Sequence, residues 1–516
     1  MPRVPDLKSR RGAHGELVPG LWVRSRLPAE AETIRGMEYP ASFVNLGIGM
    51  GTIYSMLLTG RWARLARRLL TGLVLLLVLA GAAIAIAVEV TPQQTVKVAG
   101  QVIQVGATAP SLSLSGPGEV DLFGQSLPTN LRFTGPVRPR LQLNQISINS
   151  ELTTFVQGAH PAGAERLLGA ALAEGWKRYF IWETVVTGVT ALVLVGAVAG
   201  WRRSSYRTTV KVLVVALVLA EAINLGAIMS TAYTAPALLR RVHSLNDLVG
   251  TETRLPSIRT DGPQLPNVQV VVMGDSTAAG AGLTPLPEAS SAARTCGRSS
   301  DSYAEDLSAA DGWKVLNLAC DGTTISNGLL GPQTENGQTV QPQLAVAERA
   351  GRASVIIVSV GADDLNWAAE MRYCSTTPNC GDKATTAYFQ QQLASFSKNY
   401  LDLLSRLAAL PSQPQVIINQ YYDPFGSQPG CLGPAGLTAA NLKILTSRLD
   451  TLNAVLAKGA AQFGFSSPQP HFSGHQLCTP QPYVQGLSAA APFHPTAAGQ
   501  LAIALADQAA LHRLSA

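Results

Sequence analysis

Three long apolar runs divide the chain. Residues 69–88 (LLTGLVLLLVLAGAAIAIAV) form a stretch of 20 residues without a charge. Wound as a helix at 1.5 Å per residue, it spans about 30 Å, the thickness of a bilayer core. A second run covers residues 180–201 and a third residues 208–233, so three transmembrane helices are predicted. Residues 41–58 are also apolar, but glycines and polar residues interrupt them, which reads as an interfacial or buried stretch. Between the first two runs, residues 95–105 (TVKVAGQVIQV) alternate polar and apolar on both sides of Ala99-Gly100, a hairpin signal. LSLSGPGEVDLFG, LRFTGPVRPR and LQLNQISIN continue as short strands broken by Gly/Pro turns. They predict a small β-sandwich over about 90–152 inside a β-rich domain, 89–178. An amphipathic helix is expected over about 161–178, with Pro161 in its first turn.

A polar connector, 234–265, follows the third run. From residue 266 the pattern changes again. VQVVVMG reads as a fully buried strand, and further strand-like runs lie at 315–319, 354–360 and 416–421. Helical stretches such as 388–407 and 439–463 separate or follow them. Strands alternating with helices predict an α/β domain over 266–516 with a parallel sheet covered on both faces. Sites in such sheets form beyond the carboxyl ends of the strands.

Charge gives the runs a direction. Only 14% of residues are charged, against the roughly 25% usual for soluble domains. Residues 1–68 hold eleven Lys/Arg and five Asp/Glu, which accounts for the whole net charge of +6. Arg61, Arg64, Arg67 and Arg68 precede the first run, and Arg202, Arg203 and Arg207 lie between the second and third. Positive flanks stay in the cytoplasm, so the first helix exits, the second returns and the third exits again. The expectation is a multi-pass cell-membrane protein partnered by the lipid bilayer. Residues 1–68 form a cytoplasmic, partly disordered tail, 89–178 lie outside, and the C-terminal domain is extracellular or periplasmic. A cleaved signal peptide is the competing reading, because Ala85-Ile86-Ala87 resembles a cleavage site, although a 68-residue leader is long for one. Inside the third run, Glu221 and Asn224 are costly in lipid. Either Glu221 is neutral and hydrogen-bonded to another helix, or it meets a membrane partner. Residues 266–516 carry 13 Lys/Arg and 17 Asp/Glu, a net −4 that argues against nucleic acid as a partner.

All six cysteines, Cys296, Cys320, Cys374, Cys380, Cys431 and Cys478, lie beyond the third run. An even set confined to the outer portion reads as a disulfide framework in an oxidising compartment. Nearest-neighbour pairing, 296–320, 374–380 and 431–478, is taken from the fifteen alternatives. His471, His475 and Cys478 have ligand-like spacing, but external cysteines usually pair with each other, so no metal is expected.

The candidate chemistry sits at strand ends. VQVVVMG runs into Gly274-Asp275-Ser276, LNLACDGTT carries Gly322, SVIIVSV runs into Gly361-Ala362-Asp363-Asp364, and Phe493-His494-Pro495 precedes the last helix. In this order the set resembles the SGNH (GDSL) hydrolase family, particularly secreted actinobacterial lipase-like members with three disulfides, over about 267–516. The resemblance implies a three-layer αβα, flavodoxin-like fold and a carboxylic ester hydrolase acting through an acyl-Ser intermediate, without cofactor. Ser276 would be the nucleophile and His494 its base. The backbone N–H groups of Ser276 and Gly322 would hold the oxyanion. Two positions depart from the family. Asp363 stands where an oxyanion-donating Asn is usual, and it donates only if protonated. Ala491 stands where an Asp usually orients the histidine, so a Ser–His dyad helped by a main-chain carbonyl is expected. Asp275 and Asp364 are read as capping and turn residues. Acyl esters of lipids or envelope carbohydrates are the expected substrates. An O-acyltransferase using the same pair, or a catalytically weakened binding or scaffold module of the envelope, are the alternatives.

Overall fold

The computed structural model describes residues 61–98, 101–111, 113–146, 164–239, 241, 263–287, 289–426 and 430–515. The tail up to residue 60, including 41–58, and most of the connector therefore lie outside the described residues.

Helix α1 (Arg61–Val90) takes up the first apolar run and extends through the arginines before it. Strands β1 (Gln94–Val98), β2 (Gln101–Ala107), β3 (Ser115–Leu122), β4 (Gln125–Thr134) and β5 (Pro139–Ile146) follow. Val98 pairs with Gln101 across the expected hairpin. The five strands form one sheet in the order β1-β2-β5-β3-β4, not the two packed sheets of a sandwich. A parallel β3–β5 pairing over Glu119–Asp121 joins the two antiparallel groups into one sheet, with register shifts in β2–β5 and β3–β4. Ile103, Val105, Val120, Leu122, Leu141 and Leu143 are buried.

Helix α2 (Ala164–Trp201) joins the expected amphipathic stretch to the second apolar run in one continuous helix. Its first half lies on the sheet, and Gly175 makes the approach close: a Cβ there would stand 2.3 Å from Val96 Cγ2. Helix α3 (Tyr206–Ala232) returns, and the short α4 (Ala235–Leu239) follows. By length and composition, three helical spans (Ala63–Val90, Gly169–Trp201 and Tyr206–Leu239) are long and apolar enough to cross a membrane. Ala80, Ala83, Ala191 and Ala220 pack together, the small-residue contact that lets such helices approach. Asn224 Nδ2 donates to Glu183 Oε2 at 2.9 Å and Thr187 Oγ1 to Glu183 Oε1 at 2.8 Å, so the polar link between α2 and α3 runs through Glu183. Glu221 instead lies against Gly188, and its Oε2 has no hydrogen-bond partner among the described residues. Tyr179 donates to the Val88 carbonyl, Thr231 to that of Val137 and Thr134 to that of Ser230, which fixes one end of the helices to the sheet domain.

The C-terminal domain is built on β6 (Val270–Gly274), which leads into a one-turn helix α5 (Ser276–Ala279). Helices α6 (Ser291–Thr295) and α7 (Tyr303–Asp311), strand β7 (Val315–Asn317), a small hairpin of β8 (Gln333–Glu335) and β9 (Gln338–Val340), and helix α8 (Gln343–Glu348) follow. Then come β10 (Val355–Ser359), α9 (Trp367–Thr376), α10 (Lys383–Ala408), β11 (Gln415–Ile418), α11 (Ala439–Gln462) and α12 (Ala497–Ser515). The main sheet is parallel with order β11-β10-β6-β7, a doubly wound αβα arrangement. Every residue of β6 and β10 is buried, which is why both read as unbroken apolar runs. The sheet domain packs on helices α10 and α11: Phe123 meets Tyr400 edge to face at 5.3 Å, and Gln462 Nε2 donates to the Leu143 carbonyl at 2.9 Å. Cys296 is bonded to Cys320, Cys374 to Cys380 and Cys431 to Cys478.

Candidate active site

The β6–α5 turn presents Ser276 at the carboxyl end of the sheet. Asp275 caps α5, its Oδ1 accepting from the Thr277 N–H at 2.9 Å. Its Oδ2 accepts from the Tyr421 hydroxyl, which in turn accepts from the Ala362 N–H at 3.0 Å, so one buried network ties the ends of β6, β10 and β11 together. Gly274 must be glycine: its φ is +147°, and a Cβ would lie 2.2 Å from the Ser359 carbonyl oxygen.

Across 218 positions of sequence, His494 Nε2 stands 2.8 Å from Ser276 Oγ. His494 Nδ1 lies 3.1 Å from the Pro492 carbonyl oxygen. That contact places a proton on Nδ1 and leaves Nε2 as the acceptor facing the serine. The ring is thus oriented by main chain, and Ala491 contributes only its carbonyl, which accepts from the His494 N–H at 3.3 Å. Phe493, just before the histidine, has φ +67°, a strained conformation for a bulky residue, and the Tyr422 hydroxyl holds its carbonyl at 2.9 Å.

Three glutamines that sequence reasoning missed fasten these pieces. Gln343 clamps Gly274 from both sides, accepting from its N–H at 2.7 Å and donating to its carbonyl at 3.0 Å, while also donating to Thr323 Oγ1 at 3.1 Å. Gln485 donates to the carbonyls of Ala281 and Pro495, joining the serine loop to the histidine loop. Gln500 of α12 donates to the Thr277 carbonyl at 2.9 Å. Neutral amides carry no motif spacing, so only the fold reveals them.

Ser276 and His494 open into a cavity of about 210 Å³, walled by Trp367, Met371, Leu449, Leu452, Tyr422 and Phe493. Asp321 and Asp363 also line it, and among the described residues no Lys or Arg does. Gly322 follows Asp321 in the loop beyond β7 at φ +70°, though it is not itself part of the wall. Among the described residues, neither the Ser276 nor the Gly322 backbone N–H has a hydrogen-bond acceptor. Burial raises three carboxyls at this end of the sheet: Asp275 to about 7, Asp364 to about 7 and Asp363 to about 8, with neighbouring carboxylates adding to the effect in each case. Asp364 accepts from the Ile325 N–H at 3.1 Å, a turn-holding role like the capping role of Asp275. His471, His475 and Cys478 do not assemble a metal site: Cys478 is in a disulfide, and His475 stacks on Tyr483 at 3.9 Å.

A serine hydroxyl 2.8 Å from an imidazole nitrogen at the carboxyl end of a parallel sheet is a constellation for acyl transfer. The family match and the curated relatives point the same way. Residues 272–502 match the GDSL-like Lipase/Acylhydrolase family. A lipase of Streptomyces rimosus is 26% identical over 255 residues, covering 47% of this chain and 87% of that protein. Lipase 1 of Streptomyces coelicolor is 26% identical over 242 residues, covering 45% of this chain and 81% of that protein. Among solved structures, the extracellular lipase of Streptomyces rimosus aligns with 24% identity and a TM-score of 0.38, over 47% of this chain and 99% of that one. The phospholipase A1 of Streptomyces albidoflavus aligns with 20% identity and a TM-score of 0.38, over 48% of this chain and 99% of that one. Over residues 272–502 the chain thus resembles the GDSL-like Lipase/Acylhydrolase family, and that resemblance supports an ester-hydrolase reading of the domain.

Proposed function

We propose that the protein is a membrane-anchored, outward-facing serine ester hydrolase acting on acyl esters of lipids or envelope carbohydrates. The 2.8 Å contact between Ser276 Oγ and His494 Nε2 carries this reading. Ser276 Oγ attacks the ester carbonyl as its proton passes to His494 Nε2. The tetrahedral oxyanion is held by the N–H groups of Ser276 and Gly322. The alcohol departs with the proton from Nε2, leaving acyl-Ser276. Water then repeats the sequence, with His494 again taking and returning a proton, and frees the carboxylic acid. The Pro492 carbonyl holds the imidazole for both halves, stabilising the imidazolium less than a carboxylate would. The apolar cavity wall suits an acyl chain.

Anchoring is supported by the three apolar helices and by the sheet domain that links them to the hydrolase domain. The outward orientation is supported by the basic residues flanking the first run and joining the second to the third, and by disulfides that use all six cysteines.

The test pairs activity with sidedness. Purified full-length protein should hydrolyse p-nitrophenyl butyrate, and Ser276→Ala should remove that activity. Protease added to intact cells should digest the hydrolase domain. Activity surviving in Ser276→Ala overturns the mechanism, and protection of the domain in intact cells overturns the orientation.

A further inference from the structure

Asp363 occupies the position where the resembled family pattern places an amide donor, yet a carboxylate lining this cavity would repel an oxyanion formed in it. Asp363 lines the same cavity as Ser276 and His494, and its Oδ2 is buried without a hydrogen-bond partner among the described residues. An ionised carboxylate requires donors or a cation when buried. Among the described residues no group donates to Oδ2, and no Lys or Arg lines the cavity. The titratable groups around it are Asp275 at the end of β6, Asp321 beyond β7, the adjacent Asp364, Tyr421 and Tyr422 beyond β11, and His494 from the C-terminal loop. Tyr421 spends its proton on Asp275, Tyr422 spends its own on the Phe493 carbonyl, and His494 turns Nε2 to the serine. On α9, Glu370 is paired with Arg448, so that arginine is also committed.

We propose that Asp363 works as a neutral carboxylic acid whose O–H donates a hydrogen bond to the tetrahedral oxyanion, completing a hole otherwise made of the Ser276 and Gly322 N–H groups. The proposal rests on the acyl-Ser276 reading above. The proton stays on Asp363 throughout, and no bond to Asp363 forms or breaks. In the resting site the O–H has no acceptor, so the hydrogen bond is gained as charge develops on the substrate oxygen, the condition under which an interaction accelerates a reaction. Neutral carboxylic acids in apolar sites are known to serve in this way. Burial, reinforced by Asp275 and Asp321, pushes the Asp363 carboxyl up to about 8, which keeps it protonated at neutral pH.

The test is the pH dependence of kcat/KM for a soluble p-nitrophenyl ester, using the full chain with Asp363, Asp363→Asn and Asp363→Ala. The native protein should lose activity above about pH 8 as Asp363 ionises. Asp363→Asn keeps an uncharged donor and should abolish that alkaline loss while staying within about tenfold at neutral pH. Asp363→Ala should fall by about 10²–10³-fold at every pH, the cost of one oxyanion donor. An unchanged alkaline limb in Asp363→Asn, or a loss below about threefold in Asp363→Ala, overturns the proposal. A readout independent of turnover is the infrared difference spectrum of native minus Asp363→Asn protein at neutral pH. It should contain the carbonyl stretch of a protonated carboxyl, and a carboxylate band instead also overturns the proposal. These failures would leave Ser276-dependent hydrolysis intact, whereas failure of the broader reading would show as hydrolysis persisting in Ser276→Ala.

Discussion

Replacing Gln343 by Met probes how the fold aims the nucleophile. Gln343 is 2% exposed, and Met has nearly its volume, so the change removes hydrogen bonds with little change of packing. The Gly274 carbonyl keeps a second donor, the Cys320 N–H at 3.0 Å, and Thr323 Oγ1 keeps its bond to Gln333 Oε1 at 2.7 Å. The Gly274 N–H has no other acceptor among the described residues and is left unsatisfied in a buried position. One such orphan costs about 1–3 kcal/mol. For a domain of this size each kcal/mol lowers the unfolding midpoint by about 2–4 °C, so a drop of about 2–12 °C is expected. Gly274 lies two residues before Ser276, and Thr323 follows Gly322, so loosening the clamp misplaces both the hydroxyl and an oxyanion donor. Turnover of p-nitrophenyl butyrate should fall by about 10–100-fold in kcat while KM changes little, because ground-state binding in the apolar cavity is untouched. Thermal unfolding and steady-state kinetics on purified full-length protein provide the check. A Gln343→Met protein with native midpoint and native kcat would refute the reasoning.

Two further outcomes follow from the carboxyls. Burial raises Asp275 and Asp364 to about 7 and Asp363 and Asp507 to about 8, so between roughly pH 4 and 8 the folded state holds protons that the unfolded chain releases. Unfolding free energy therefore falls as pH rises through that window, and the thermal midpoint should rise when pH is lowered from 8 to 5.5; a lower midpoint on acidification would contradict this. Asp321, in a cavity lined by no Lys or Arg among the described residues, disfavours substrates with a phosphate close to the ester. Like charges about 8 Å apart at an effective dielectric of 20–40 repel by about 1–2 kcal/mol, so monoacylglycerol should exceed lysophosphatidylglycerol by about tenfold in kcat/KM in mixed micelles, and equal rates would sink the argument.

The parts of this architecture that follow local rules were legible in the chain. β6 and β10 are buried on both faces and read as unbroken apolar runs, and Ser276 and His494 stand out because a strand-end turn and a Phe-His-Pro segment before a final helix are local signals. The sheet domain was misjudged because the β3–β5 parallel pairing is non-local: periodicity marks strands without saying which edges meet. The amphipathic stretch and the second apolar run form one helix because a change from amphipathic to wholly apolar pattern is not a break, and no Pro interrupts Ala164–Trp201. Glu183 was visible as an acid within the second run, yet its role depends on Asn224 lying opposite on α3, 41 positions away. Gln343, Gln485 and Tyr421 act through hydrogen bonds to main chain or to a capping carboxylate, and nothing in their neighbours along the chain announces that.

The claim on which the rest depends is that His494 activates Ser276. Labelling the purified protein with a fluorophosphonate and locating the adduct by peptide mass spectrometry tests it directly. The account predicts an adduct on Ser276, none in Ser276→Ala, and labelling slowed by about 10²–10⁴-fold in His494→Ala. An adduct on another residue, or a His494→Ala protein labelled at the native rate, would contradict it.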